Sequence, residues 1–234
     1  MKFLLLTFCR RIRLEVRKYI RRQFDWVARK YRAHTVVEKT CANSLRVSFV
    51  DRVVPEAKYI FIRRDGLDAV GSATKRWKAE LDIPYLARKA RFVPYQDLPY
   101  YALQYFGNRV YRLLSREKRL AFWGPKLDNM QELLKQHTLE EICALQWKRC
   151  VERAEVDFAG MDQDKVCRVR YEGFTEDPGK ETRRVLDFLG VPAEEEELKR
   201  AVADVRPARK SSWEEKLSED EQGKVLGIIE SCCR

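Results

Sequence analysis

Arg64 and Ser72 are the residues of this chain whose types and spacing best suit chemistry. The apolar run Tyr59-Ile60-Phe61-Ile62 leads into Arg63-Arg64-Asp65-Gly66, and a helical pattern then carries Ser72. A guanidinium fixed where a buried strand ends, with a hydroxyl about two helical turns later, lets both reach one small anion. They would do so outside the carboxyl edge of a parallel sheet, where open α/β folds bind ligands. The competing reading is structural: Arg64 pairs with Asp65 or Asp68, and Ser72 is a small helix residue. Glu38 and Lys39 form a second group, a carboxylate able to take a proton beside a cation able to steady negative charge. Desolvation would raise the proton affinity of Glu38 and Lys39 would lower it, so the sequence leaves its charge open. A Glu-Lys pair at a helix start is the alternative.

The elements that must position these groups follow a βα rhythm. Thr35-Val36-Val37 predicts a short strand ending at Glu38, and Leu45, Phe49 and Val53 predict a helix over 42–54, closed by Pro55. A strand over 58–62 and a helix over 67–77 repeat the unit, which argues for a parallel sheet with helical crossovers. Residues 78–125 break the rhythm with Pro84, Pro94, Pro99 and Pro125 and many aromatics. They read as an insertion with a helix near 100–115, either a substrate-recognition lid or an aromatic layer packed on the sheet. Beyond it lie a helix over 139–156, a strand over 165–169 ending at Arg170-Tyr171-Glu172, and a helix over 180–189 stopped by Gly190 and Pro192. A helix from Ala193, the basic loop 206–210 and a last helix from Ser218 complete the chain.

Composition bounds the rest. At 234 residues the chain can bury one substantial core, and its formal net charge is +11. Much of that charge lies in residues 1–40, with twelve Lys/Arg against three acids. Within this stretch Ile12, Val16, Tyr19, Ile20, Phe24, Val27 and Tyr31 recur at helical spacing, so residues 1–33 read as a basic amphipathic helix. It either packs on a domain spanning 34–234 or lies on an anionic membrane surface. Nucleic acid ranks behind both, because no reading motif accompanies the arginines. Seven cysteines, an odd number without a CxxC pair or zinc-like spacing, suit incidental thiols in a reducing, cytoplasmic compartment. The apolar start, residues 3–9, is too short to span a bilayer and resembles no export signal. His34 and His137 are the only histidines. His34 reads as a strand-entry residue, with a base role as the alternative, and two histidines so far from other ligands make no convincing Ser-His-Asp arrangement or metal cluster.

Glu38-Lys39-Thr40-Cys41-Ala42-Asn43-Ser44-Leu45-Arg46, the Arg64 to Ser72 spacing and Arg170-Tyr171-Glu172, taken in this order, resemble the sulfotransferases that use 3′-phosphoadenosine 5′-phosphosulfate (PAPS). Cys41 stands where that family usually has proline. The resemblance implies an α/β fold of the P-loop-like sulfotransferase type, a parallel sheet with helices on both faces. It implies PAPS as cosubstrate, no metal, and a hydroxyl- or amine-bearing acceptor such as a small molecule, lipid or sugar. By the same resemblance Arg64 and Ser72 would hold the 3′-phosphate, Tyr171 would approach the adenine, Glu38 would act as base and Lys39 would lie near the transferred group. Arg209 and Lys210, before Ser211-Ser212-Trp213, form a shortened echo of the basic segment that closes over the 3′-phosphate, without its glycines. The Gly/Ser/Thr-rich turn of the R-S-G-T-T type that cradles the 5′-phosphosulfate is not found before Glu38. The expectation is therefore an N-terminally truncated domain with impaired transfer. The alternative is a non-catalytic relative that binds a 3′-phosphonucleotide or anionic membranes.

Overall fold

The computed structural model describes residues 14–78, 99, 103, 107, 123–207, 213 and 217–230. Two strands, β1 (Tyr59–Arg63) and β2 (Val166–Arg170), pair in parallel with Tyr59 opposite Val166 and Arg63 opposite Arg170. Each starts and ends one residue later than the sequence predicts. Parallel neighbours require a crossover, and here it includes the helices α3 (Gly66–Trp77), α4 (Met130–Gln136) and α5 (Leu139–Ala159).

Strand alternation sends Tyr59, Phe61 and Val166 to one face and Ile60, Ile62 and Cys167 to the other. On the first face Phe158 of α5 packs against Tyr59 and Phe61, with ring centroids 5.6 and 5.2 Å away. Val47 and Ala154 complete that cluster. On the second face Arg184 donates to Cys167 Sγ and to the Arg168 carbonyl, at 3.3 and 2.8 Å. Arg184 belongs to α7 (Pro178–Leu189), which follows the short α6 (Tyr171–Glu176). Helices thus cover both faces of a parallel α/β unit, as expected.

A larger core lies between helices. Val70 and Trp77 of α3 meet Ile142, Cys143 and Ala144 of α5 and Val225 of α9 (Glu219–Glu230). Full burial of the aliphatic side chains Val70, Ile142 and Val225 contributes about 1.5–3 kcal/mol each. The contact between α3 and α9 is close: a Cβ added at Gly66 would lie 2.7 Å from Ile229 Cδ1. Local signals set the helix limits. Asp65 caps α3 by accepting from the Asp68 amide at 3.0 Å, and Thr138 and Glu141 form a capping box on α5. Asp177 with Pro178 opens α7, and Gly190 closes it at φ 72°, a conformation that favours glycine. The helix expected from Ala193 is α8 (Glu195–Val202).

The structure departs from the sequence-based expectations most over residues 35–54. Residues 35–40 form no strand, and Val37 is 75% exposed. A strand exists through its ladder, and among the described residues none runs beside this segment. The helix expected over 42–54 is divided into a 3₁₀ turn (Cys41–Leu45) and α2 (Val47–Val53), with Arg46 at φ −149° between them. Asn43 uses its side chain there instead of extending a helix, donating to Glu38 and accepting from Arg46 Nε at 3.1 Å.

The first described helix, α1 (Leu14–Tyr31), has no buried residue, and Val16, Tyr19, Trp26 and Tyr31 are exposed. Arg21 tethers it, donating to the Val53 carbonyl at 3.2 Å and to Glu56 Oε1 at 2.5 Å. That bond lowers the Glu56 pKa. No described helix is long and apolar enough to cross a membrane. Most of the aromatic insertion, with its expected helix over 100–115, lies outside the described residues.

Candidate functional site

The β1 to α3 turn brings Arg64 and Ser72 together. Arg64 is the first residue past the ladder, and Ser72 sits on α3 facing back toward it. Arg64 Nη1 donates to Ser72 Oγ at 3.1 Å, while Nη2 lies 4.0 Å from Asp68 Oδ2. The hydroxyl accepts from the arginine and so keeps its own proton to give to another oxygen. The structural alternative raised by the sequence is therefore partly realised, since Asp68, though not Asp65, approaches Arg64. The Arg64 side chain keeps 27% of its surface exposed, so it remains open to a ligand. Its Nε is buried with no hydrogen-bond partner among the described residues. A buried N–H donor left without an acceptor is costly, and the exposed part of the same guanidinium is the face a ligand would meet.

Tyr171 completes the group. Its ring lies under the guanidinium, with Arg64 Cζ 4.7 Å from the centroid. This follows from the register: Arg63 pairs with Arg170, so the next residues of both strands, Arg64 and Tyr171, emerge side by side.

The peptide joining Arg64 to Asp65 is gripped from two other elements. Trp147 Nε1 of α5 donates to the Arg64 carbonyl at 3.2 Å, and Glu172 Oε1 of α6 accepts from the Asp65 amide at 2.8 Å. Sequence reasoning missed Trp147, because a tryptophan among the apolar positions of a helix reads as packing. Glu172 was visible only as part of the Arg170-Tyr171-Glu172 run.

Glu38 and Lys39 form a separate group. Both are exposed; Glu38 accepts from Asn43 Nδ2, and Lys39 Nζ lies 3.7 Å from Cys41 Sγ. No hydrogen bond or ion pair among the described residues joins either one to Arg64, Ser72 or Tyr171. Arg209 and Lys210 lie outside the described residues. Cys41, Cys143, Cys150 and Cys167 are free thiols, and burial pushes Cys143 and Cys150 up to about 12, which leaves them protonated and inert. Among the described residues no three His, Cys, Asp or Glu side chains cluster as metal ligands would.

The fold and turn define a class, an α/β unit with an arginine hydrogen-bonded to a serine at the carboxyl end of parallel strands. The chain belongs to the sulfotransferase family, whose profile matches residues 9–120 and 108–195. Among solved structures it is similar to sulfotransferase STF9 from Mycobacterium avium, at 16% identity and a TM-score of 0.49. That similarity covers 81% of this chain but only 38% of the other. No curated protein matches the sequence significantly.

Proposed function

We propose that this chain serves sulfuryl transfer from PAPS to a hydroxyl- or amine-bearing acceptor. The observation that carries the reading is the Arg64 clamp: a guanidinium bonded to Ser72, stacked on Tyr171 and holding an orphaned Nε at the strand ends. Those groups fit a phosphate dianion, which accepts several N–H and O–H donors at once. Arg64 and Ser72 hold the 3′-phosphate of the nucleotide, and Tyr171 provides the aromatic surface beside the base. Arg209 and Lys210 lie in the segment assigned to close over that phosphate.

Chemistry falls to the other group. As the acceptor oxygen or nitrogen bonds to sulfur, Glu38 takes its proton, and the bond from sulfur to the bridging oxygen breaks. Lys39 steadies the negative charge that collects on the departing phosphate. The products are the sulfated acceptor and adenosine 3′,5′-bisphosphate.

Thermal shift and turnover assays test the reading. Adenosine 3′,5′-bisphosphate raises Tm well above the shift given by adenosine 5′-phosphate, because a ligand that binds only the folded state stabilises it. Labelled PAPS with a panel of acceptors reports transfer. Preferential binding without turnover favours the non-catalytic reading, a relative that keeps the 3′-phosphonucleotide pocket.

A second reading concerns α1. Its exposed Tyr19 and Trp26, among Arg17, Lys18, Arg22, Arg29 and Lys30, fit the interface of an anionic membrane. In this reading the protein acts in the cytoplasm, peripheral to a membrane. Vesicles with and without phosphatidylserine test it: binding only to the anionic ones, weakened by salt and lost with α1, supports the assignment.

A further inference from the structure

We propose that Trp147 and Glu172 are positioning residues that fix the direction of the Arg64 guanidinium by locking a single peptide plane. The inference rests on the role given above to Arg64.

The two bonds already described meet on one unit. The Arg64 carbonyl and the Asp65 N–H are the two polar ends of the same planar peptide group, and Trp147 Nε1 takes one while Glu172 Oε1 takes the other. This peptide sits between regular elements. The β1–β2 ladder ends at the Arg63–Arg170 pair, and α3 begins at Gly66, so neither ladder nor helix supplies its partners. Backbone groups in that position need partners from elsewhere. The partners come from α5, within the crossover, and from α6, directly after β2.

Holding the plane at both ends fixes ψ of Arg64 and φ of Asp65, the two torsions that turn a strand into a helix here. Upstream, that sets where the Arg64 side chain leaves the backbone, over Tyr171 and toward Ser72. Downstream, it places Asp65 to cap α3 through the Asp68 amide, which fixes the helix that carries Ser72. One peptide therefore sets both halves of the clamp. If either partner is lost the plane can rotate, and the guanidinium and hydroxyl no longer converge on one anion.

The test compares Trp147→Phe, Glu172→Ala and Glu172→Gln, each alone and combined with Arg64→Ala. Affinities for adenosine 3′,5′-bisphosphate and adenosine 5′-phosphate are measured by calorimetry. Trp147→Phe and Glu172→Ala should weaken the bisphosphate about three- to tenfold and leave the monophosphate unchanged. Glu172→Gln, whose amide oxygen still accepts, should restore most of the loss. In the Arg64→Ala background none of the three should matter, because a residue that acts through Arg64 has nothing left to position. Equal weakening of both nucleotides, or a loss that persists without Arg64, overturns the proposal.

A second readout stands apart from nucleotide binding. The Nε–H proton of Arg64, buried in this structure, should exchange slowly with solvent in the nitrogen-15 spectrum and faster in Trp147→Phe and Glu172→Ala. If the wild type shows no preference for the bisphosphate, the phosphate assignment falls, and this exchange still decides the positioning claim. Unchanged exchange in both variants overturns it.

Discussion

The turn at Arg64 and the segment at Glu38 sit in very different surroundings. Arg64 is held by Ser72, Tyr171 and Asp68, and its backbone by Trp147 and Glu172; Glu38 is exposed and meets Asn43 three residues into the next turn. The first region is assembled from β1, α3, α5 and α6, while the second lies in residues 35–40, outside the sheet. In the proposed division of labour, the nucleotide-binding end is preorganised and the proton-transfer end is not. Preorganised binding is costly to perturb in affinity, whereas a loosely held base loses rate without losing ligand. Binding and chemistry should then separate on mutation.

The largest expected effect tests that separation directly. Glu38→Gln should lower turnover about a hundredfold or more, the usual worth of a positioned general base, with bisphosphate affinity unchanged. An affinity loss matching the rate loss would show the two regions to be one site. Next comes Arg64→Ala, which removes charge-assisted bonds contributing about 1.5–3 kcal/mol and should erase the preference for adenosine 3′,5′-bisphosphate in a binding titration. Turnover at saturating donor should fall far less than affinity; a fall in proportion would mean that Arg64 also serves the transition state.

A smaller effect probes the rigidity of the braced side. Gly66→Val places a side chain against Ile229, and overpacking of this kind costs about 1–3 kcal/mol, read as a lower urea midpoint. The smallest concerns α1. The Arg21 bond lowers the Glu56 pKa from its ordinary value near 4.5. Stability from a depressed carboxyl is present above that ordinary value and is lost as pH falls through the lower folded one. Proteolysis at the α1–α2 connection should therefore quicken in acid below about pH 4.5 and do so less in Glu56→Gln, which has no such carboxyl to titrate.

The braced region was also the more legible in the sequence. Arg64, Ser72 and their strand and helix could be read because their relation is local: an apolar run, a capping Asp65 and a helix of fixed rise. The strand expected over 35–37 was not realised, because β-branched residues show a preference and the ladder that would use it must come from elsewhere. The break at Arg46 was hidden for a similar reason, since it depends on how Asn43 divides its side chain between Glu38 and Arg46. Trp147 was least legible of all. Its indole reaches a carbonyl 83 residues earlier in the chain, and nothing in the local pattern distinguishes it from an ordinary packing residue.

The close contact of Gly66 with Ile229 carries a consequence for the order in which the molecule can be made. β1 finds its partner only when β2 has been synthesised, and the start of α3 is packed only when α9 has followed. Closing such distant contacts costs chain entropy before any of them returns stability, which slows folding relative to a protein built from neighbours. During vectorial synthesis the arginine turn therefore waits for Trp147, Tyr171 and Glu172 to emerge, and the start of α3 waits longer still, for Ile229.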